Sequence, residues 1–406
     1  MIQFKHLIYL LVALTWFEGA TFREHRIIIL YGLLLGGLWL LFNLKKIITL
    51  EISFTEKGFY LIGVLLLFWT WEALSLIWAN EITPVSEERI FNVIAAVGFT
   101  VLLLDQLKTD RDWINTYKIL AITGTTSSLL VLYEAYTGTI HRPTGYISPD
   151  PNYTAMHITI LLPLLYYLAK DLKYPLKIPL IGGIIITALA TVSTGSRAGI
   201  ISLMMIALII FYQELKEKDI KTIALTFLAL LTVFSIAASI SPELLSPGFK
   251  RFESLIDIAK GETKPDFSVS NRYSLIIAGT KMIADNPILG VGTGNFRNRS
   301  PEYGALRPNE AHNTYIEVAG ELGIIGIAIF LGLIYFAIKN FQSLEKNKYT
   351  TGAKISFIAV LINFLFLTAF TDRRFYLLIA LTVGMSHEKP LTLREFLQSA
   401  KEKIRL

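Results

Sequence analysis

Apolar runs recur along the whole chain, separated by short polar stretches, and most are long enough to cross a bilayer as helices. They predict spans over Phe4–Ala20, Ile27–Phe42, Phe59–Ile77, Ile90–Leu104, Lys118–Tyr136 and Thr154–Leu168. The series continues over Ile178–Ser193, Ala198–Tyr212, Ile223–Ser239, Thr314–Ile338, Ile355–Phe370 and Phe375–Met385. The expected fold is an all-α polytopic membrane protein of about twelve transmembrane helices. The opening run lacks a convincing cleavage site and is followed at once by another, so it reads as a retained helix rather than a signal peptide. Between the ninth and tenth runs lies Ile240–Ala311, an insertion of about 70 residues, too long for a plain connection. Within it Asn271–Ala284 reads as an amphipathic helix that can lie on a bilayer surface, stopped by Asn286-Pro287. The expected organisation is spans 1–9 over residues 1–239, a loop domain over 240–311, spans 10–12 over 312–385 and a tail over 386–406.

Composition agrees with this pattern. Of 406 residues 53% are hydrophobic and only 17% charged, against roughly 25% charged in soluble domains. Disordered, fibrous and ordinary cytosolic classes are excluded. The absence of cysteine excludes a disulfide frame, thiol catalysis and Cys-ligated metal. The net charge of +6 reports topology. With a cytoplasmic N-terminus, most Lys and Arg fall in the inner segments and few in the short outer loops. Both termini are then expected in the cytoplasm and the 240–311 insertion outside, and no nucleic-acid partner is indicated.

Chemistry-bearing residues gather on the expected outer face. His312-Asn313 sits where the long insertion enters an apolar helix, followed by Gly320, Gly323 and Gly326. A neutral imidazole there can accept a proton from a hydroxyl; the plain alternative is an interfacial His beside a glycine stripe that allows close helix packing. In Ser193–Gly199, Arg197 opens a helix beside Gly and Ser, a setting suited to phosphate, although an arginine there can also simply mark the membrane boundary. Arg272 opens the amphipathic helix, and Pro287–Phe296 is glycine-rich without the strand a nucleotide fingerprint requires. Asn152 follows Asp150-Pro151 and is expected to cap a helix, or to contact sugar hydroxyls, with His141 and Arg142 just upstream. Asp110-Arg111-Asp112 reads as a solvated inner charge cluster, and His6, His25, His157 and His387 form no ligand pattern. Glu72, Glu134, Glu317 and Glu321 fall within spans, where they need partners or water. On a continuous helix Glu317 would face away from His312, so a direct orienting role requires a break.

Together these motifs resemble the O-antigen ligase and O-antigen polymerase superfamily. The resemblance covers most of the chain. His312-Asn313, nine residues, Gly323, two residues and Gly326 fit the ligase pattern, and Ser196–Gly199, Asp150–Asn152, Asn271–Tyr273 and Pro287–Gly292 look like the family. It implies a GT-C type glycosyltransferase that needs no metal or other cofactor. The implied donor is a glycan on undecaprenyl diphosphate, the implied acceptor is lipid A–core oligosaccharide, and the setting is the periplasmic face of a bacterial inner membrane. The resemblance assigns Arg197 and Arg272 to the diphosphate and His312 to activation of the acceptor hydroxyl; Asn313, Asn152 and Arg142 are expected as further substrate-binding residues. Transfer would invert the anomeric carbon. A polymerase would use the same donor with a lipid-linked glycan as acceptor, and protein O-oligosaccharyltransferases share the fold. A flippase or other transporter is the alternative of another class, although no internal repeat supports it.

Overall fold

The computed structural model describes residues 3–17, 27–138, 142–145, 148, 150–173, 175–217, 242–260, 266–386 and 388–405. It is 78% helical. The first half contains α1 (Phe4–Leu14), α2 (Ile27–Ile48), α3 (Glu56–Leu74), α4 (Pro84–Gln106), α5 (Asp110–Thr137), α6 (Pro151–Thr159), α7 (Leu162–Asp171), α8 (Lys177–Ser193) and α9 (Arg197–Glu217). There follow α10 (Pro242–Lys260), α11 (Phe267–Asp285), the single turn α12 (Phe296–Arg299), α13 (Thr314–Ser343), α14 (Lys348–Asn363), α15 (Arg373–Gly384) and α16 (Leu393–Arg405). Among the described residues the one sheet is a two-residue antiparallel pair, β1 (Ser53–Phe54) with β2 (Leu391–Thr392). The expected ninth span, Ile223–Ser239, lies outside the described residues, as do His25, His141 and His387.

Among the described residues five stretches are long and apolar enough to cross a membrane: Leu30–Ile48, Glu56–Ile77, Asp110–Thr137, Arg197–Lys216 and Thr314–Ser343. Their outer surfaces are apolar. On α2, Leu41 and Phe42 are 72% and 76% exposed, a surface that favours lipid over water by about 25 cal/mol per Å². The chain is therefore a multi-pass membrane protein. Three expected spans are interrupted, the tenth by the break at Gly323 described below. The sixth divides into α6 and α7 around Ile160–Leu161, because Pro163 cannot donate to the carbonyl four residues back and its ring crowds it. The eleventh ends at Asn363, and the following residues run as irregular chain. Irregular backbone at membrane depth is tolerated where protein or a cavity satisfies it; here it lines the site described below.

An aromatic cluster locks this end of the bundle. Phe330 of α13, Phe364 after α14 and Phe375 of α15 approach within 5.1–6.0 Å of one another by ring centroids, with Phe68 of α3 beside Phe330 at 5.8 Å. Asp112 is buried, not solvated: it closes a capping box with Thr109 at the start of α5 and accepts from Tyr9 and Lys5. The tail over 386–406 packs back on the bundle. Strand β2 pairs with β1, and Phe396 of α16 stacks on Phe59 at 4.9 Å.

The insertion holds two long helices, α10 and α11. The expected amphipathic helix is α11. It starts four residues early, where Asp266 caps it by accepting from Val269 N–H at 2.9 Å. Its Leu275, Ala278, Gly279 and Met282 are buried against protein, among them Phe296 and Ile316, while Tyr273 and Ile276 remain exposed. The glycine-rich stretch then docks into a break in α13. Gly323 has φ 65° and ψ −167°, outside the helix. The break frees the carbonyls of Gly320 and Glu321, which accept from Val291 N–H at 3.0 Å and Gly292 N–H at 2.8 Å, while Ile324 N–H donates to Pro287 at 2.8 Å. A Cβ on Gly290 would lie 2.3 Å from the Glu321 oxygen, and one on Gly323 would lie 2.1 Å from the Ile288 oxygen. The stripe Gly320, Gly323, Gly326 is thus not a plain helix-packing face: Gly323 breaks the helix so that a loop can hydrogen-bond into it.

Candidate functional site

Four segments bring cations to one cavity. The chain turns at Thr194–Ser196, and Ser196 Oγ accepts from Gly199 N–H at 3.1 Å, capping α9 so that Arg197 is its first residue. Arg197 donates from Nε to the Arg251 carbonyl at 3.1 Å and from Nη2 to Ser254 Oγ at 2.7 Å, and it pairs with Asp266. It therefore ties α9 to α10 and to the cap of α11. Arg272 lies in the second turn of α11 and donates to the Phe366 carbonyl at 3.4 Å. The segment carrying Arg142 is held by buried Glu134, which accepts from Thr144 and Gly145 N–H at 2.8 Å. Arg142 donates to the Thr194 carbonyl at 3.1 Å and to Asn152 Oδ1 at 3.2 Å, and Ser196 Oγ donates to the same oxygen at 3.0 Å. Asn152 is not the cap of α6. Asp150 fills that role, accepting from Asn152 N–H at 2.6 Å, which leaves the Asn152 amide to face the cavity.

His312 stands in the turn before α13 with φ 50°, a left-handed conformation that costs a non-glycine residue roughly 1–2 kcal/mol. Its neighbours fix that turn. Asn313 caps α13, accepting from Tyr315 and Ile316 N–H at 3.0 and 3.1 Å and donating to the Leu365 carbonyl at 3.3 Å. Thr314 N–H donates to Phe364 at 2.8 Å, and its hydroxyl to Leu367 at 2.7 Å. The irregular chain after α14 is thereby zipped to the His312 turn. Asn309 Oδ1 accepts from Glu310 N–H at 2.9 Å, so its Nδ2 is the atom that faces His312 Nε2 at 3.2 Å. Nε2 then carries the lone pair and Nδ1 the proton. Nδ1 is buried with no partner among the described residues.

The cavity is about 370 Å³ and is lined by Arg142, Asn152, Arg197, Arg251, Arg272 and His312, with Ile201, Ile276, Leu365 and Phe366 supplying apolar wall. Burial and mutual repulsion dominate its electrostatics. Burial, then Arg251, pulls the Arg142 guanidinium down to about 10, and burial likewise lowers Arg272, with Arg197 and Arg251 opposing its charge. Burial and the nearby Arg272 push His312 down to about 4, with Asp150 opposing. The imidazole is therefore neutral at physiological pH. Guanidiniums and an amide are donors suited to an anion, the imidazole Nε2 lone pair is an acceptor suited to a hydroxyl, and clustered cations gain from an anion that balances them.

Five of the six expected site residues share this cavity; Asn313 does not line it, because both ends of its amide are engaged by backbone. Arg251 and Asn309 had not been singled out in the sequence. Both lie in the polar insertion, where nothing in the local pattern separates them from surface residues. The stretch 182–331 matches the O-antigen ligase family. The O-antigen ligase segment contains Arg197, Arg251, Arg272 and His312, whereas Arg142 and Asn152 precede it. No curated protein matches the chain significantly.

Proposed function

We propose that the protein is an O-antigen ligase. In this reading it transfers a glycan from undecaprenyl diphosphate to a hydroxyl of lipid A–core oligosaccharide on the periplasmic face of a bacterial inner membrane. The observation that carries the reading is one cavity where arginines meet a neutral imidazole, with Arg197, Arg251, Arg272 and His312 of its lining falling in the stretch that matches the O-antigen ligase family. The acceptor oxygen attacks the anomeric carbon, the bond to the diphosphate oxygen breaks, and the configuration inverts. Arg272, Arg142 and Arg251 balance the charge that grows on the departing diphosphate, and Arg197 holds the helix starts that carry them. His312 Nε2 takes the hydroxyl proton. To do so the acceptor displaces the Asn309 N–H from that lone pair. A bound diphosphate offsets the field of Arg272 and raises the basicity of His312 once the donor is seated. Asn152 and the apolar wall orient the sugar.

The test is a defined reaction: purified protein in liposomes, undecaprenyl-diphosphate-linked glycan, and either lipid A–core or a second lipid-linked glycan as acceptor, with excess EDTA present. Glycosylated lipid A–core with inverted linkage is expected. Elongation of the lipid-linked glycan alone would make the protein a polymerase, and no covalent product with either acceptor would overturn the enzymatic reading.

A further inference from the structure

Behind the His312 turn, away from the cavity, one buried guanidinium joins four segments. Arg89 of α4 is 6% exposed, and Glu317 and Glu321 of α13 are 0% and 1% exposed. Arg89 Nη2 donates to Glu317 Oε1 at 2.5 Å, and Nη1 pairs with Glu321. The other oxygen of Glu317 accepts from Ala311 N–H at 2.5 Å and from Thr368 Oγ1 at 3.1 Å. Glu321 Oε1 accepts from Phe296 N–H at 3.0 Å. Ala311 is the residue before His312. Because α13 starts only at Thr314, Glu317 can fold back onto that peptide, which a continuous helix would prevent.

We propose that Arg89 and Glu317 are positioning residues for His312: the Arg89–Glu317 pair grips the Ala311 peptide and so holds the left-handed turn that presents the imidazole to the cavity. The inference rests on the proposed role of His312 as the base. A strained backbone persists only where its surroundings over-determine it. On the α13 side Asn313 and Thr314 supply those contacts, and on the insertion side Glu317 supplies one through Ala311. Neither Arg89 nor Glu317 lines the cavity, so their influence on transfer must pass through the turn. Fixing both carboxylates from one centre requires the planar two-sided fork of arginine; a lysine supplies the charge but a single point of attachment. Truncating either partner would strand a buried charge, so conservative changes are the informative ones.

The experiment compares Arg89→Lys, Glu317→Gln and Thr368→Val with wild type in the reconstituted transfer reaction, measuring kcat, KM for the lipid-linked donor, the pH dependence of kcat/KM and the thermal midpoint. For Arg89→Lys and Glu317→Gln, kcat is expected to fall about 10- to 100-fold with the donor KM changed less than about threefold, since a small misplacement of a reacting group is costly to rate. The acid limb of kcat/KM should also move up by about one pH unit, as a loosened His312 relaxes towards an ordinary imidazole in the face of Arg272 and Asp150. Loss of folded protein would scale the whole profile and leave its limb in place. Thr368→Val removes one bond to Glu317 and leaves the buried pair intact, so it remains decisive where the other two do not fold; a smaller shift in the same direction is expected. Unchanged kcat and an unmoved limb in the folded variants would overturn the proposal. Full activity of His312→Ala would instead remove the base on which it rests.

Discussion

His312 is the one site residue whose backbone itself is strained, and that gives it two separable effects. Its left-handed φ opposes folding, while its side chain serves the cavity. His312→Gly is therefore expected to be more stable than His312→Ala by about 1 kcal/mol, because only glycine adopts this region without a Cβ penalty. Both should lose transfer activity by about 10²–10⁴-fold. Thermal midpoints of the two purified variants check this, and an alanine form as stable as the glycine form would mean that the turn is not strained. The arginines divide in the same manner. Arg272 makes one long bond to a carbonyl, whereas Arg197 is already bonded to α10 and Asp266. Arg272→Lys should lower turnover by about 10²-fold with little loss of stability, the scale seen when one donor to a developing anion is removed. Arg197→Lys should lower both, because it loosens the start of α9. Steady-state kinetics with thermal unfolding of the same samples separates the two outcomes.

At the scale of elements, the loop Pro287–Asn295 and the break in α13 form one unit, and α11 and α13 lean on it. Gly290→Ala and Gly323→Ala would each force a Cβ to within 2.3 Å or less of a backbone oxygen at positive φ. Each should destabilise by roughly 2 kcal/mol or more and abolish transfer by displacing the His312 turn. A thermal midpoint equal to wild type in either variant would show that the loop does not need its contact with α13. This unit also shows where the sequence was legible. The apolar period located most helices, the cap signals marked several starts, and the Ser196–Gly199 and His312–Gly326 motifs pointed to residues that the fold brings together. What stayed hidden depends on long-range pairing. The ends of α6 and α14 respond to Pro163 and to the site, and the capping of α6 passed from Asn152 to its neighbour Asp150. Nothing local shows that Arg89, more than two hundred residues earlier, holds Glu317, or that Arg251 reaches the cavity.

For the whole molecule, the cavity gathers cations around one buried imidazole, and this has a pH signature. Burial and Arg272 hold His312 near 4, below the value of roughly 6.5 expected in the unfolded chain. Between these values the unfolded state binds more protons, so this contribution to stability is complete above about pH 6.5 and is lost as pH falls towards 4. The apparent thermal midpoint should decline over that window more steeply in wild type than in His312→Ala; parallel curves would mean that the imidazole is not buried beside Arg272. In the proposed reaction this imidazole takes the acceptor proton while the arginines hold the donor. The most direct measurement is therefore donor binding and single-turnover transfer by His312→Ala in liposomes. Affinity for the lipid-linked glycan is expected within about threefold of wild type and the transfer rate reduced 10²–10⁴-fold, the usual contribution of a positioned base. Transfer at a near-normal rate would contradict that role.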